Sequence, residues 1–499
     1  MAVRWCFARL TCVRHLASNA LLLLAGCALT GQPVDLPPAL AHALAELQAN
    51  PSLAGGRIGV QVVDAATGAV LVEAAADRGF APASNLKLIS SAVAVMTLGP
   101  EFRFTTILAM RGAIAEGVLH GDLLLQGHGD PTLGAGAGAV DVGKHFAAAL
   151  RARGIRAVTG RVVGDASWLG EEHLGHGWQW DYLDEDYASP FGALCWNGNL
   201  QRVLVDVSDG GVRVGLQPPG AVPLVAGVDL VPSGGATNLV ARRGLGSQVI
   251  TVTGSIAADA GSRTLAVTVP EPTVFAAREL TMALRAEGIE IREGAADASI
   301  AASVAPVSEW TSQPLATLLM RLLGDSDNLY AEQVFRVAAR QGSGARDSAS
   351  AAQHAVGVLQ QLGVECAGLV LADGSGLSRR DLVQPRQLAS LLLAMERSAH
   401  RAAFVAALPI AGKTGTLRSR FRDTKAAGRV RAKTGTIARV ACLSGYLPRS
   451  NGAPLVFSVM LNDFVCGDAA ARAAIDAFVL RLVEFADAEP VLRSVRTSP

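Results

Sequence analysis

Along the first hundred residues the spacing of apolar positions changes from strand-like to helical. Residues 57–64 (RIGVQVVD) and 69–73 (AVLVE) are short β-branched runs on either side of Thr67-Gly68, which predicts a hairpin with a glycine-bearing turn. After a second turn region at 77–82, residues 84–98 are rich in Ala, Leu, Val and Met with no Gly or Pro, which predicts a buried helix. A helical run at 40–47 precedes both. From 102 to 298 the texture differs: Val/Leu/Thr-rich runs at 118–126, 202–207, 249–253 and 264–269 are separated by Gly, Pro, Asp and Ser. That stretch reads as mainly β, with helices at 142–153 and 274–287. Helical patterning returns at 314–323, 329–339, 349–361 and 385–395. Strands around 430–446 and 454–461 and a helix at 469–485 close the chain.

Composition changes this picture in three places. At 499 residues, half apolar and 17% charged, the chain can bury two or three cores and lies outside the disordered class. A formal charge of +1 gives no reason to expect a nucleic-acid partner. The first 27 residues combine Arg4, Arg9 and Arg14 with the apolar Leu21–Leu24, an export signal too short to span a bilayer. Leu24-Ala25-Gly26-Cys27 resembles a bacterial lipoprotein box, in which Cys27 is lipidated; ordinary cleavage near Ala28 is the alternative. Either way the expected location is the periplasm, with membrane attachment only through that lipid. Cys195, Cys366, Cys442 and Cys466 form no zinc pattern with the histidines; an oxidising compartment permits a disulfide among them, and buried thiols serve equally.

The candidate chemistry lies in three short motifs. Only five of the 44 basic residues are lysine, and Lys, unlike Arg, can give up its proton. Ser84-Asn85-Leu86-Lys87 is the chain's only Ser-x-x-Lys. On a helix, residues three apart share a face, so the amine can reach the hydroxyl and act as its base. A lysine pKa must fall toward neutrality for that; desolvation, nearby positive charge and the helix N-terminus are the expected causes. Ser326-Asp327-Asn328 precedes a helical run, and offers a hydroxyl for proton relay and a carboxamide for a substrate amide, or equally an N-cap. Lys-Thr-Gly occurs twice. The copy at Lys413-Thr414-Gly415 runs into Arg418, Arg420 and Arg422 and reads as a basic loop away from any sheet edge. Lys433-Thr434-Gly435-Thr436 reads as an edge strand entering a hairpin, where Gly435 admits a close substrate backbone and Lys433 and Thr434 bind a carboxylate.

In that order the three motifs resemble the signature of penicillin-binding proteins and serine β-lactamases. The wide gap between Ser84 and Ser326 is similar to the class C low-molecular-mass D-alanyl-D-alanine carboxypeptidase/endopeptidase family, as are 121–133, 187–199, 373–378 and 428–436; His128 departs from the family's small residue. The resemblance implies an α+β fold: a β-lactamase/transpeptidase-like domain, an antiparallel sheet flanked by helices, assembled from 35–103 and 301–499, with a β-rich insertion at 104–300. It implies Ser84 as nucleophile, Lys87 as base, Ser326 as proton relay, Asn328 as substrate holder, and Lys433, Thr434, Gly435 and Thr436 as the carboxylate and oxyanion side. The partners implied are peptidoglycan stem peptides and, as inhibitors, β-lactams, with no metal or organic cofactor. Asp373-Gly374-Ser375-Gly376 either lines the cleft or is a simple turn. The rival readings are a serine β-lactamase, marked by sustained nitrocefin turnover, and a non-catalytic peptidoglycan-binding lipoprotein.

Overall fold

A computed structural model describes residues 37–135, 138–208, 210–217, 222–297, 304–449 and 452–488. The export signal and Cys27 lie outside the described residues. Both ends of the described chain meet in one antiparallel sheet, with strand order Arg431–Ile437, Val440–Arg449, Gly452–Asn462, Arg57–Asp64, Val70–Ala74. The predicted hairpin around Thr67-Gly68 is there, and its first strand pairs with the C-terminal one, Val60 opposite Val459.

The sheet is covered on both faces. Val440, Cys442 and Tyr446 point into a core shared with the helices Leu86–Leu98, Leu315–Gly324, Asn328–Ser343, Ser348–Gln361 and Pro385–Glu396. Ala441, Leu443 and Leu447 point the other way, toward Pro38–Gln48 and Asp468–Ala488. Double coverage is why 440–447 and 455–461 read as nearly unbroken apolar runs rather than alternating ones. Leu86–Leu98 lies inside the first layer, buried at every position from Leu86 to Val95, which explains its apolar character all round.

Arg431–Ile437 is an edge strand, but half its edge is covered. Ile410 bridges to Arg431, Ala411 N–H donates to Val430 O at 2.9 Å, and Ala432 N–H donates to Pro409 O at 3.1 Å. The first Lys-Thr-Gly copy therefore departs from expectation: its loop folds against the sheet edge, although Lys413 and Thr414 are exposed. Because Ala432 turns its N–H away from the neighbouring strand, Thr434 and Thr436 turn theirs the same way, toward open space.

The β-rich stretch forms three more sheets. A seven-stranded one opens at Thr105–Ala115 and takes an edge strand from Ala305–Thr311; Gly138–Ala152 and Pro272–Ala286 pack on its core. Two three-stranded sheets between Leu200 and Thr268 share a smaller core. Residues 166–199, largely turns, return to the helix Asn328–Ser343, where Gln333 Nε2 donates to Gly192 O at 2.7 Å. All four described cysteines are free thiols, and Cys195 and Cys442 are fully buried.

Candidate active site

Ser84 lies in a 3₁₀ turn, Ala83–Asn85, that leads into the buried helix beginning at Leu86. Ala83 takes a left-handed φ of 45°, so the chain enters the turn through a conformation that non-glycine residues rarely adopt. Lys87, one turn on, donates to Ser84 Oγ at 2.8 Å, to Asn328 Oδ1 at 2.5 Å and to the Ser375 carbonyl at 2.8 Å. The first two motifs thus meet through one amine.

Burial lowers the Lys87 pKa from the usual lysine range to about 8. The surrounding charges act in the opposite sense: Asp373, Glu332, Asp327 and Asp381 all favour the ammonium, which limits the fall. The expected positive neighbour is thus corrected to a set of carboxylates, and desolvation does the lowering. Lys433, also fully buried, is pushed well below the lysine range by burial and then by the Lys87 charge.

Ser326 has a left-handed φ of 64° just before the helix Asn328–Ser343, a strained position of the kind found at functional sites. Asp327 caps that helix by accepting from Tyr330 N–H at 3.1 Å, so the N-cap and the placement of Ser326 and Asn328 coexist. Lys433 Nζ donates to Ser326 Oγ at 2.9 Å and to Thr434 O at 2.8 Å. It stands behind the cleft wall rather than projecting into it. Gly435 packs against the turn that carries Ser84, where a Cβ would fall 2.6 Å from Pro82 O.

These pieces line a cleft of about 390 Å³, bordered by Ser84, Ser326, Asn328, Gly376 and Thr436. Opposite them stand Tyr182 and Tyr187, from the stretch between the sheets. Asn328 Nδ2 donates to Tyr187 O at 2.7 Å, so one carboxamide joins the Lys87 amine to that wall. Sequence reasoning missed both tyrosines as cleft residues, although 187–199 stood among the family-like segments. It also missed Thr416, whose Oγ1 accepts from Thr434 Oγ1 at 2.9 Å; only its place beside the duplicated Lys-Thr-Gly hinted at this.

Gly376 has φ 79°, and a Cβ there would sit 1.9 Å from the Ala83 carbonyl oxygen, a backbone atom of the turn that carries Ser84. Gly376→Ala must move one of two fixed segments, at a strain of roughly 1–3 kcal/mol. The expected result is a lower melting temperature and at least roughly tenfold slower acylation by penicillin. Thermal melts and timed labelling measure the two.

Residues 40–485 match the D-Ala-D-Ala carboxypeptidase 3 (S13) family. The chain is 34% identical over 463 residues to a D-alanyl-D-alanine carboxypeptidase from Actinomadura sp. (strain R39), covering 88% of this chain and 83% of that one. The structure superposes on penicillin-binding protein 4 from Haemophilus influenzae with a TM-score of 0.76 at 24% identity, over 89% of this chain and 98% of the other. The same protein in complex with a β-lactam gives 0.72 at 23% identity over the same shares. A predatory endopeptidase from Bdellovibrio bacteriovorus gives 0.51 at 16% identity, over 89% and 97%.

Proposed function

The chain belongs to the D-Ala-D-Ala carboxypeptidase (S13) family of serine peptidases, and from that premise we propose that Ser84 attacks D-Ala-D-Ala bonds of peptidoglycan stem peptides and is acylated by β-lactams. The observation that carries the reading is the contact of Ser84 Oγ with a buried amine of lowered pKa, inside a cleft walled by the other two motifs. Neutral Lys87 takes the Ser84 proton as Oγ forms the bond to the carbonyl carbon. The N–H groups of Ser84 and Thr436, both at the cleft, are the donors for the oxyanion, each worth roughly 3 kcal/mol. Ser326 accepts from Lys433, which leaves its own proton free for the departing nitrogen as the C–N bond breaks. Water then hydrolyses the acyl-enzyme.

Thr434 and Thr436 present hydroxyls to the substrate's terminal carboxylate, with Lys433 as the charge behind them. An arriving carboxylate raises the proton affinity of Lys433, against the burial that lowers it. Lys433→Gln is expected to raise KM for a D-Ala-D-Ala peptide by roughly tenfold or more, about 1.4 kcal/mol. The same peptide amidated at its C-terminus should show a much smaller change, and steady-state kinetics on the pair checks this.

Cross-link cleavage is the second activity proposed for the same cleft, which Tyr182 and Tyr187 help to line. The export signal supports a periplasmic protein, tethered through Cys27 when the lipoprotein box is used. Incubation with a pentapeptide and with a cross-linked muropeptide, followed by separation of products, tests the function: release of D-Ala or of monomeric stems supports it. Wild-type protein that takes up no fluorescent penicillin and releases neither product would overturn it.

A further inference from the structure

The turn at 372–378 is organised around a carboxylate that does not line the cleft. Asp373 is buried, and five donors converge on it. Its Oδ1 accepts from Ser375 N–H at 3.1 Å and Gly376 N–H at 2.6 Å. Its Oδ2 accepts from Ser378 N–H at 2.8 Å, the Trp178 indole at 2.9 Å and the Ser375 hydroxyl at 3.3 Å. A carboxylate offers acceptors to such a set through both of its oxygens.

What it holds belongs to the site. The Ser375 carbonyl receives Lys87 Nζ, the Gly374 carbonyl receives the Ser90 hydroxyl at 2.5 Å, and Gly376 sits under the Ala83 carbonyl. Trp178 heads the segment that carries Tyr182 and Tyr187. The other ionisable groups facing this turn are accounted for. Asp381 accepts from Ala372 N–H at 2.6 Å and from Asp373 N–H at 3.4 Å through Oδ1, and burial followed by the Asp373 charge pushes it well above the usual carboxylate range. Glu332 accepts from Gly374 N–H at 2.9 Å and is raised to about 7 by burial and then by Asp373, with Arg336 3.8 Å away. Asp327 and Lys433 are the remaining charges that interact with Lys87.

We propose that Asp373 is a positioning residue for acylation: one buried carboxylate sets the Ser375 carbonyl against the Lys87 amine and ties the Trp178–Tyr187 wall to the same turn. The proposal rests on the function assigned above. An asparagine at 373 keeps one oxygen for Ser375 and Gly376 but turns an NH2 toward the indole and Ser378 donors. It also removes the carboxylate that most strongly favours the Lys87 ammonium.

The test is the pH dependence of penicillin acylation. Asp381→Asn prevents a change of ionisation there from compensating. Its acidic limb, moved toward lower pH by the loss of one carboxylate that favours the Lys87 ammonium, is the reference. Adding Asp373→Asn should move that limb to lower pH by roughly half a unit or more and lower the plateau roughly tenfold. Trp178→Phe should leave the limb in place and raise the peptide KM roughly fivefold. A double variant whose profile overlays that of Asp381→Asn overturns the proposal. If the double variant does not melt cooperatively, Trp178→Phe decides, and an unchanged KM and plateau overturns it. Wild type that takes no label at all counts against the function itself; normal wild-type labelling with an unmoved limb counts against Asp373 alone.

Discussion

A Ser84→Ala enzyme takes up no penicillin and loses roughly 10⁴-fold or more of its kcat/KM on D-Ala-D-Ala peptides, while it melts like the wild type. Loss of the atom that forms the covalent bond removes the whole acyl-enzyme route, and residues that act as a unit fall together. Stability is spared because Lys87 keeps its bonds to Asn328 Oδ1 and the Ser375 carbonyl, so no buried donor is orphaned. Gel fluorescence after labelling, product assays and thermal melts check the three parts. Persistent label on the alanine variant would remove Ser84 as nucleophile.

The second large effect is on pH. In the proposed mechanism the active form of Lys87 is the neutral amine, and burial brings its pKa to about 8. Acylation should therefore rise about tenfold per pH unit below that value and level off above it, with about a tenth of sites competent at pH 7. The sign follows from which form works: a depressed lysine pKa makes the base available at lower pH. Lys87→Arg keeps a charge but supplies no base, since a guanidinium does not deprotonate, and should lose roughly 10³-fold across the whole range. A flat wild-type profile between pH 6 and 9 would contradict Lys87 as the base.

The parts of the site that could be read from the sequence are those fixed by short spacing. Ser84 and Lys87 sit three apart, Ser326 and Asn328 two apart, and Lys433 to Thr436 share one strand, so local geometry alone groups them. What stayed hidden is carried by backbone atoms or by distant segments. The Ser375 carbonyl leaves no mark in residue type, and Thr416 gains its contact only because Ile410 bridges to Arg431. Charge around Lys87 was misjudged for the same reason: Glu332, Asp373 and Asp381 come from separate elements that converge only in the fold. In the fold itself, the hairpin at 57–74 and the buried helix at 86–98 were plain from periodicity. The pairing of Arg57–Asp64 with Gly452–Asn462 was not, because nothing local records a partner almost four hundred residues away.

The half-covered edge of Arg431–Ile437 limits which polypeptides can lie along it. A chain lying along that strand finds outward backbone groups only at Thr434 and Thr436, and beyond them runs into Pro409–Ala411. Folded proteins and long unfolded chains would have to end there or bend sharply away. A free terminus or a short branch fits without either, so obstruction at one end of the groove filters substrates before any side chain is read.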